Sequence, residues 1–181
     1  MGRSDGSRCA LFLCHAIDQK RGGRSSRRQC DNPRVIPDVP QPPHEPAQPG
    51  STLPRALQLL QSVFGYATFR GQQADVVMHV AGGGNALVLM PTGGGKSLCY
   101  QVPALLREGI AIVVSPLIAL MQDQVAALQE AGVPAEFLNS TLEWSEVQAI
   151  KKRARAGQIK LLYLAPERVL KDRTLELLDR L

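Results

Sequence analysis

The segment Pro91-Thr92-Gly93-Gly94-Gly95-Lys96-Ser97 sets three consecutive glycines ahead of a Lys-Ser pair, directly after the apolar run Leu87-Val88-Leu89-Met90. Glycines lack a Cβ, so successive backbone N–H groups can turn toward one anion, and a helix N-terminus behind them adds a favourable partial charge. The chemistry this suits is phosphate binding. Lys96 would stand against the β- and γ-phosphates, and the Ser97 hydroxyl is a hard oxygen ligand suited to Mg²⁺. A plain βα connector is the poorer reading, because a triple glycine loses much backbone entropy on folding. The common pattern G-x-x-x-x-G-K-[ST] has glycine where this chain has Met90, which argues against nucleotide kinases and small GTPases.

Such a loop needs a strand before it and a helix after it. The hydrophobic pattern predicts helices over about 54–62 and 71–81, a strand over 86–90, a helix over 96–107 and a strand over 110–115. A helix over 117–131, a strand over 135–138, a helix over 141–156, a strand over 159–164 and a helix over about 172–180 follow. The strands are continuously apolar, as in Ile110-Ala111-Ile112-Val113-Val114, which suits strands covered on both faces. Alternation of this kind predicts an α/β fold, a parallel sheet flanked by helices. Ser140-x-x-Glu143 reads as a capping box for the helix that follows.

The 181 residues suffice for one domain. Seven of the thirteen prolines lie before residue 54, with Gly-Gly, Ser-Ser and Arg-Arg pairs among them. Residues 1–52 therefore read as a disordered Pro/Arg-rich leader and residues 53–181 as the folded part. Cys9–Ile17 imitates the start of a secretory signal, but His15 interrupts it and Lys20, Arg21 and Arg24 follow, so a cytoplasmic location is expected. Cys9, Cys14, His15 and Cys30 match no common zinc spacing. No apolar run approaches the roughly 18 residues of a membrane helix, so no membrane role is expected. The net charge of +5 permits an anionic partner, and with aromatic residues at 4% a broad base-stacking platform is excluded.

Phe64-Gly65-Tyr66-Ala67-Thr68-Phe69-Arg70-Gly71-Gln72-Gln73 lies upstream of the loop. Downstream are Ser115-Pro116-Leu117-Ile118-Ala119-Leu120-Met121-Gln122-Asp123-Gln124-Val125 and Tyr163-Leu164-Ala165-Pro166-Glu167-Arg168. With Met90–Gln101 between them, these segments resemble the first motifs of the RecQ family of ATP-dependent DNA helicases. The likeness covers about residues 53–170. It implies a RecA-like P-loop NTPase lobe, incomplete at its C-terminus, acting with ATP and Mg²⁺ on single-stranded and duplex DNA in the 3′ to 5′ direction. It further implies that Gln73 reads the adenine edge, that Tyr66 and Arg70 pack beside the base, and that Thr92, Gly93, Gly94, Gly95, Lys96 and Ser97 hold the phosphates and Mg²⁺. Lys96 is then the catalytic residue of the set. DNA contacts are implied at Ser115, Pro116, Asn139, Ser140, Pro166, Glu167 and Arg168, all just after strands. Without the resemblance, Tyr66 and Phe69 read as core or helix-flanking aromatics, Arg70 as a solvated charge and Arg168 as a surface ion-pair partner. Lys151, Lys152, Arg153 and Arg155 form either a basic patch or a solvated helix face.

A helicase motor also needs an acidic pair at the end of an apolar strand, Asp on the Mg²⁺ shell and Glu on the attacking water. Leu175-Glu176-Leu177-Leu178-Asp179 imitates one, but the spacing of Leu175, Leu178 and Leu181 is that of a helix face. The Asp-Glu-Ala-His box of the family is expected soon after Leu181, which makes the chain the front part of a longer helicase. Two alternatives stand beside that reading: a DEAD-box-like RNA helicase fragment, and a nonenzymatic nucleotide- or DNA-binding fragment. Oligomeric state is left open.

Overall fold

In the computed structural model of the protein, residues 10–13, 49–91, 93–169 and 172–178 are described. The elements run β1 (Ala10–Leu13), α1 (Pro49–Phe64), α2 (Gln73–Ala81), α3 (Leu98–Leu106) and β2 (Ala111–Val114). They continue with α4 (Ile118–Glu130), β3 (Ala135–Leu138), α5 (Trp144–Arg155), β4 (Leu161–Leu164), α6 (Pro166–Val169) and α7 (Asp172–Leu178). All strand pairs are parallel, in the order β1-β2-β4-β3.

The sheet has helices on both faces because its strands are apolar at every position. Ala111, Val113, Leu161 and Tyr163 face Tyr100 and Ala104 of α3 and Met121, Val125 and Leu128 of α4. Ile112, Val114, Leu162 and Leu164 face the other way, onto Val147, Ile150 and Ala154 of α5 and Leu177 of α7. A third cluster, Ala56, Leu60, Val77 and Val102, joins α1, α2 and α3. Strands buried on both faces between helices form the parallel α/β sheet that the sequence pattern predicts, and they agree with the partial RecA-like lobe that the resemblance implies.

Five details depart from the sequence reading, one of them the short helix α6, for which no pattern is read. No strand forms over 86–90: Leu87 and Leu89 are 54% and 65% exposed. A strand needs a neighbour to take its N–H and C=O groups, and no described strand pairs with 86–90; the edge of β2 carries β1, whose Ala10 to Leu13 lie opposite Ala111 to Val114. That strand falls inside the span read as leader, and α1 starts at Pro49 and carries Pro54 within it. Finally, α5 starts at Trp144 rather than Thr141, with Glu146 Oε2 accepting the Glu143 N–H at 2.8 Å, so the box lies three residues later than Ser140-x-x-Glu143. Asn139 is the reason. Its Oδ1 accepts the Thr141 N–H at 3.0 Å and the Thr141 hydroxyl at 2.8 Å, a local turn that competes with helix. The remaining leader, its cysteines and His15, and Thr92 and Asp179 lie outside the described residues. Among the described residues no helix is long and apolar enough to cross a membrane.

Candidate nucleotide-binding site

The glycine loop is shaped by backbone conformations that other residues rarely adopt. Gly93 and Gly95 have φ of +81° and +75°, and the Gly94 N–H between them donates to Pro91 O at 3.0 Å. A Cβ on Gly95 would lie 2.1 Å from Gln73 Nε2, and one on Gly94 would lie 2.9 Å from Pro91 O. The loop runs into α3 with Ser97 at the N-cap. Lys96 turns back over the loop, its Nζ donating to Met90 O and Pro91 O, each at 2.9 Å. This suits a charge held at the mouth of the cradle: exchanging two carbonyl acceptors for phosphate oxygens strengthens every bond it makes.

Gln73 begins α2, yet its side chain belongs to the loop. The residue is 3% exposed, its Nε2 donates to Gly94 O and Gly95 O at 3.3 Å each, and its Oε1 accepts the Arg70 N–H at 2.8 Å. Beside it the Arg70 guanidinium lies 5.9 Å from the centre of the Tyr66 ring, a cation–π distance. One pocket of about 400 Å³ collects Tyr66, Arg70, Gln73, Leu89, Gly93, Gly94 and Gly95. Residues some twenty positions apart in the chain thus share a single cavity, with an aromatic face and an amide at one side and a glycine cradle at the other.

Behind the loop runs a chain of polar side chains that the sequence does not reveal. Gln124 of α4 donates from Nε2 to Ser97 Oγ at 3.1 Å, and its Oε1 accepts the Tyr100 hydroxyl at 2.5 Å. The Tyr100 and Tyr163 hydroxyls are 3.4 Å apart, and Gln101 Nε2 donates to Tyr163 at 3.2 Å. The two rings meet edge to face, 6.5 Å between centres. Gln124 and Tyr100 stand inside the segments that carry the resemblance, but nothing in their spacing joins them to Ser97; only the packing of α3 on α4 does. Cys99, next in the chain, is buried, and that burial pushes its thiol up to about 11.

The candidate DNA contacts fall together at one end of the sheet. Val114, Leu164 and Leu138 are in register across β2, β4 and β3, so Ser115, Ala165 and Asn139 emerge side by side, where ligands of open α/β sheets bind. Pro116, Ser140, Pro166 and Glu167 are exposed there, and Arg168 is half-buried. Ser115 is buried, its Oγ accepting the Leu117 N–H at 3.4 Å. Asn139 is fully buried, and its Nδ2, like Arg168 Nε, has no hydrogen-bond partner among the described residues. The basic run of α5 does not form one exposed patch: Lys151 is buried, and Arg153 pairs with Glu136. Among the described residues no group of three His, Cys, Asp or Glu could hold a metal.

The sequence model of the DEAD/DEAH box helicase family matches residues 70–181, from Arg70 through the loop and strands β2, β3 and β4. The chain belongs to that family. Its curated relatives include the ATP-dependent DNA helicase RecQ of Haemophilus influenzae, 48% identical over 126 residues, which are 70% of this chain and 20% of that protein. The ATP-dependent DNA helicase RecQ of Bacillus subtilis is 48% identical over 118 residues, 65% of this chain and 20% of that protein. The ATP-dependent helicase wrn-1 of Caenorhabditis elegans is 44% identical over 126 residues, 68% of this chain and 12% of that protein. The two bacterial proteins are RecQ helicases, and the chain is a RecQ-type segment spanning about a fifth of each.

Proposed function

We propose that this chain is the ATP-binding and single-stranded-DNA-contacting front of a RecQ-type 3′ to 5′ DNA helicase. The observation that carries the reading is the shared pocket: the Tyr66–Arg70 face, the Gln73 amide and the Gly93–Gly95 cradle line one cavity, as a base joined to phosphates requires. Bound Mg²⁺ would supply charge neutralisation between β- and γ-phosphate oxygens. Lys96 exchanges its two carbonyl partners for phosphate oxygen, and Ser97 offers a lone pair to the cation. Gln73 keeps one acceptor position free on Oε1 for an adenine amino group, and its two long bonds to Gly94 O and Gly95 O are the ones it can release to donate to the ring. At the strand ends Pro116, Ser140, Pro166, Glu167 and Arg168 are the surface offered to the DNA backbone, with a hydroxyl and a guanidinium for phosphate oxygens, and the buried Ser115 and Asn139 shape the turns that present them.

Titration with ATP, GTP and labelled single-stranded DNA tests the reading. ATP is expected to bind in competition with ADP, GTP more weakly, and DNA with an affinity that falls as salt rises. Absence of ATP binding, or equal affinity for ATP and GTP, would refute it. Polarity is read from 3′- and 5′-tailed duplexes with the complete helicase. A second reading, binding without turnover by these residues alone, is favoured by the strand ends: Ser115, Asn139 and Ala165 follow β2, β3 and β4, so none of the three delivers the carboxylates that orient an attacking water.

A further inference from the structure

Ser97 is held from behind by Gln124, whose two amide atoms have different partners. A carboxamide can present its oxygen or its nitrogen to a neighbour, and only its partners decide which. The Tyr100 O–H donates to Gln124 Oε1, and that leaves Nε2, not the oxygen, facing Ser97 Oγ. Behind Tyr100 its hydroxyl lies 3.4 Å from that of Tyr163, which accepts from Gln101 Nε2. Gln101, Tyr100 and Tyr163 are 6%, 7% and 1% exposed, so water does not compete for these groups. A serine hydroxyl has two lone pairs and one proton. A donor from Gln124 takes one lone pair and fixes the rotor, leaving one lone pair for a hard cation; an acceptor in its place would draw the proton and leave the rotor in the opposite sense.

We propose that Gln124, oriented by Tyr100, is a positioning residue for Ser97: its Nε2–H holds the hydroxyl so that a lone pair meets the divalent cation that accompanies bound nucleotide. The proposal rests on the nucleotide-binding reading above. Groups behind a metal ligand commonly change metal affinity by about 10–100-fold, and a neutral hydrogen bond alone is worth about fivefold. The effect expected here is a loss of about five- to tenfold, confined to metal-dependent binding.

The test is a titration of the whole 181-residue chain with mant-ATP, in excess Mg²⁺ and again in EDTA, for wild type, Gln124→Leu, Tyr100→Phe and Ser97→Ala. Gln124→Leu is expected to leave the EDTA affinity unchanged and to cut the Mg²⁺ enhancement about five- to tenfold, with Tyr100→Phe smaller in the same sense. On the Ser97→Ala background Gln124→Leu is expected to add nothing, because the hydroxyl it holds is gone. Equal losses with and without Mg²⁺, or additive losses on Ser97→Ala, would overturn the proposal, since a merely structural glutamine behaves that way. Tyr100→Phe decides alone if Gln124→Leu fails to fold. Wild-type protein that binds no mant-ATP in either buffer would instead refute the nucleotide reading, and the positioning role with it.

Discussion

Gly93 and Gly95 stand two residues apart with nearly the same φ, +81° and +75°, yet alanine is expected to act very differently at the two. An alanine at positive φ is strained by about 1–2 kcal/mol. At Gly93 nothing lies within 4 Å of the added Cβ, so Gly93→Ala is expected to cost about 1 kcal/mol and no more. At Gly95 the Cβ falls 2.1 Å from Gln73 Nε2, which must move and give up its donations to Gly94 O and Gly95 O. Gln73 is 3% exposed, and a buried amide left without partners costs about 1–3 kcal/mol more. Gly95→Ala is therefore expected to lose about 2–4 kcal/mol in urea unfolding. In a double-mutant cycle, Gln73→Ala removes the clash, so Gly95→Ala on that background is expected to fall back to about 1 kcal/mol. Equal losses for the two glycine variants, or strict additivity of Gly95→Ala with Gln73→Ala, would refute the claim that Gln73 braces the loop.

Lys96→Ala is expected to weaken every nucleotide, whereas Gln73→Ala is expected to weaken adenine nucleotides more than guanine nucleotides; equal loss for both in a titration of the complete protein would contradict the adenine role. Burial raises the Cys99 thiol from 9.0 to about 11, so the folded state holds its proton where the unfolded state releases it. Stability is therefore expected to be unaffected by this group below about pH 9 and to fall as pH rises from about 9 to about 11, an effect that Cys99→Ala removes in a pH series of urea melts. Leu87 and Leu89 are exposed on a segment without a strand partner among the described residues, and exposed apolar backbone of this kind recruits other chains. Concentration-dependent mass by light scattering is expected for residues 51–181, and reduction of it by Leu87→Lys with Leu89→Lys. Residues 1–181 are expected to bind Mg²⁺·ATP without DNA-stimulated phosphate release, because ground-state binding does not by itself lower a barrier. Stimulated release that vanishes in Lys96→Ala would point to a carboxylate acting here, with Glu167 the first to substitute.

The sequence alone determined the elements whose signals are local. β3 is where the apolar run puts it, and β2, β4, α2 to α5 and α7 lie within three residues of their hydrophobic patterns, because continuous apolar stretches and 3.6-residue periodicity are read within one segment; the four-residue α6 is too short to carry such a pattern. The glycine loop was legible for the same reason: Gly-Gly-Gly-Lys-Ser states its own backbone requirements. Tertiary structure decided everything that depends on a neighbour. Leu87–Met90 has the pattern of a strand, but a strand exists only against another strand, and no described strand lies beside it, whereas Ala10–Leu13, in the span read as leader, pairs with β2. Asn139 moved the start of α5 by holding Thr141 in a turn, a competition between two local hydrogen-bonding options that spacing does not rank. Gln73 closed onto Gly94 and Gly95, and Gln124 onto Ser97 and Tyr100, through contacts between residues more than twenty positions apart. A side-chain amide bonds whatever the packing sets within about 3 Å of it, and its residue type says only that it must bond something.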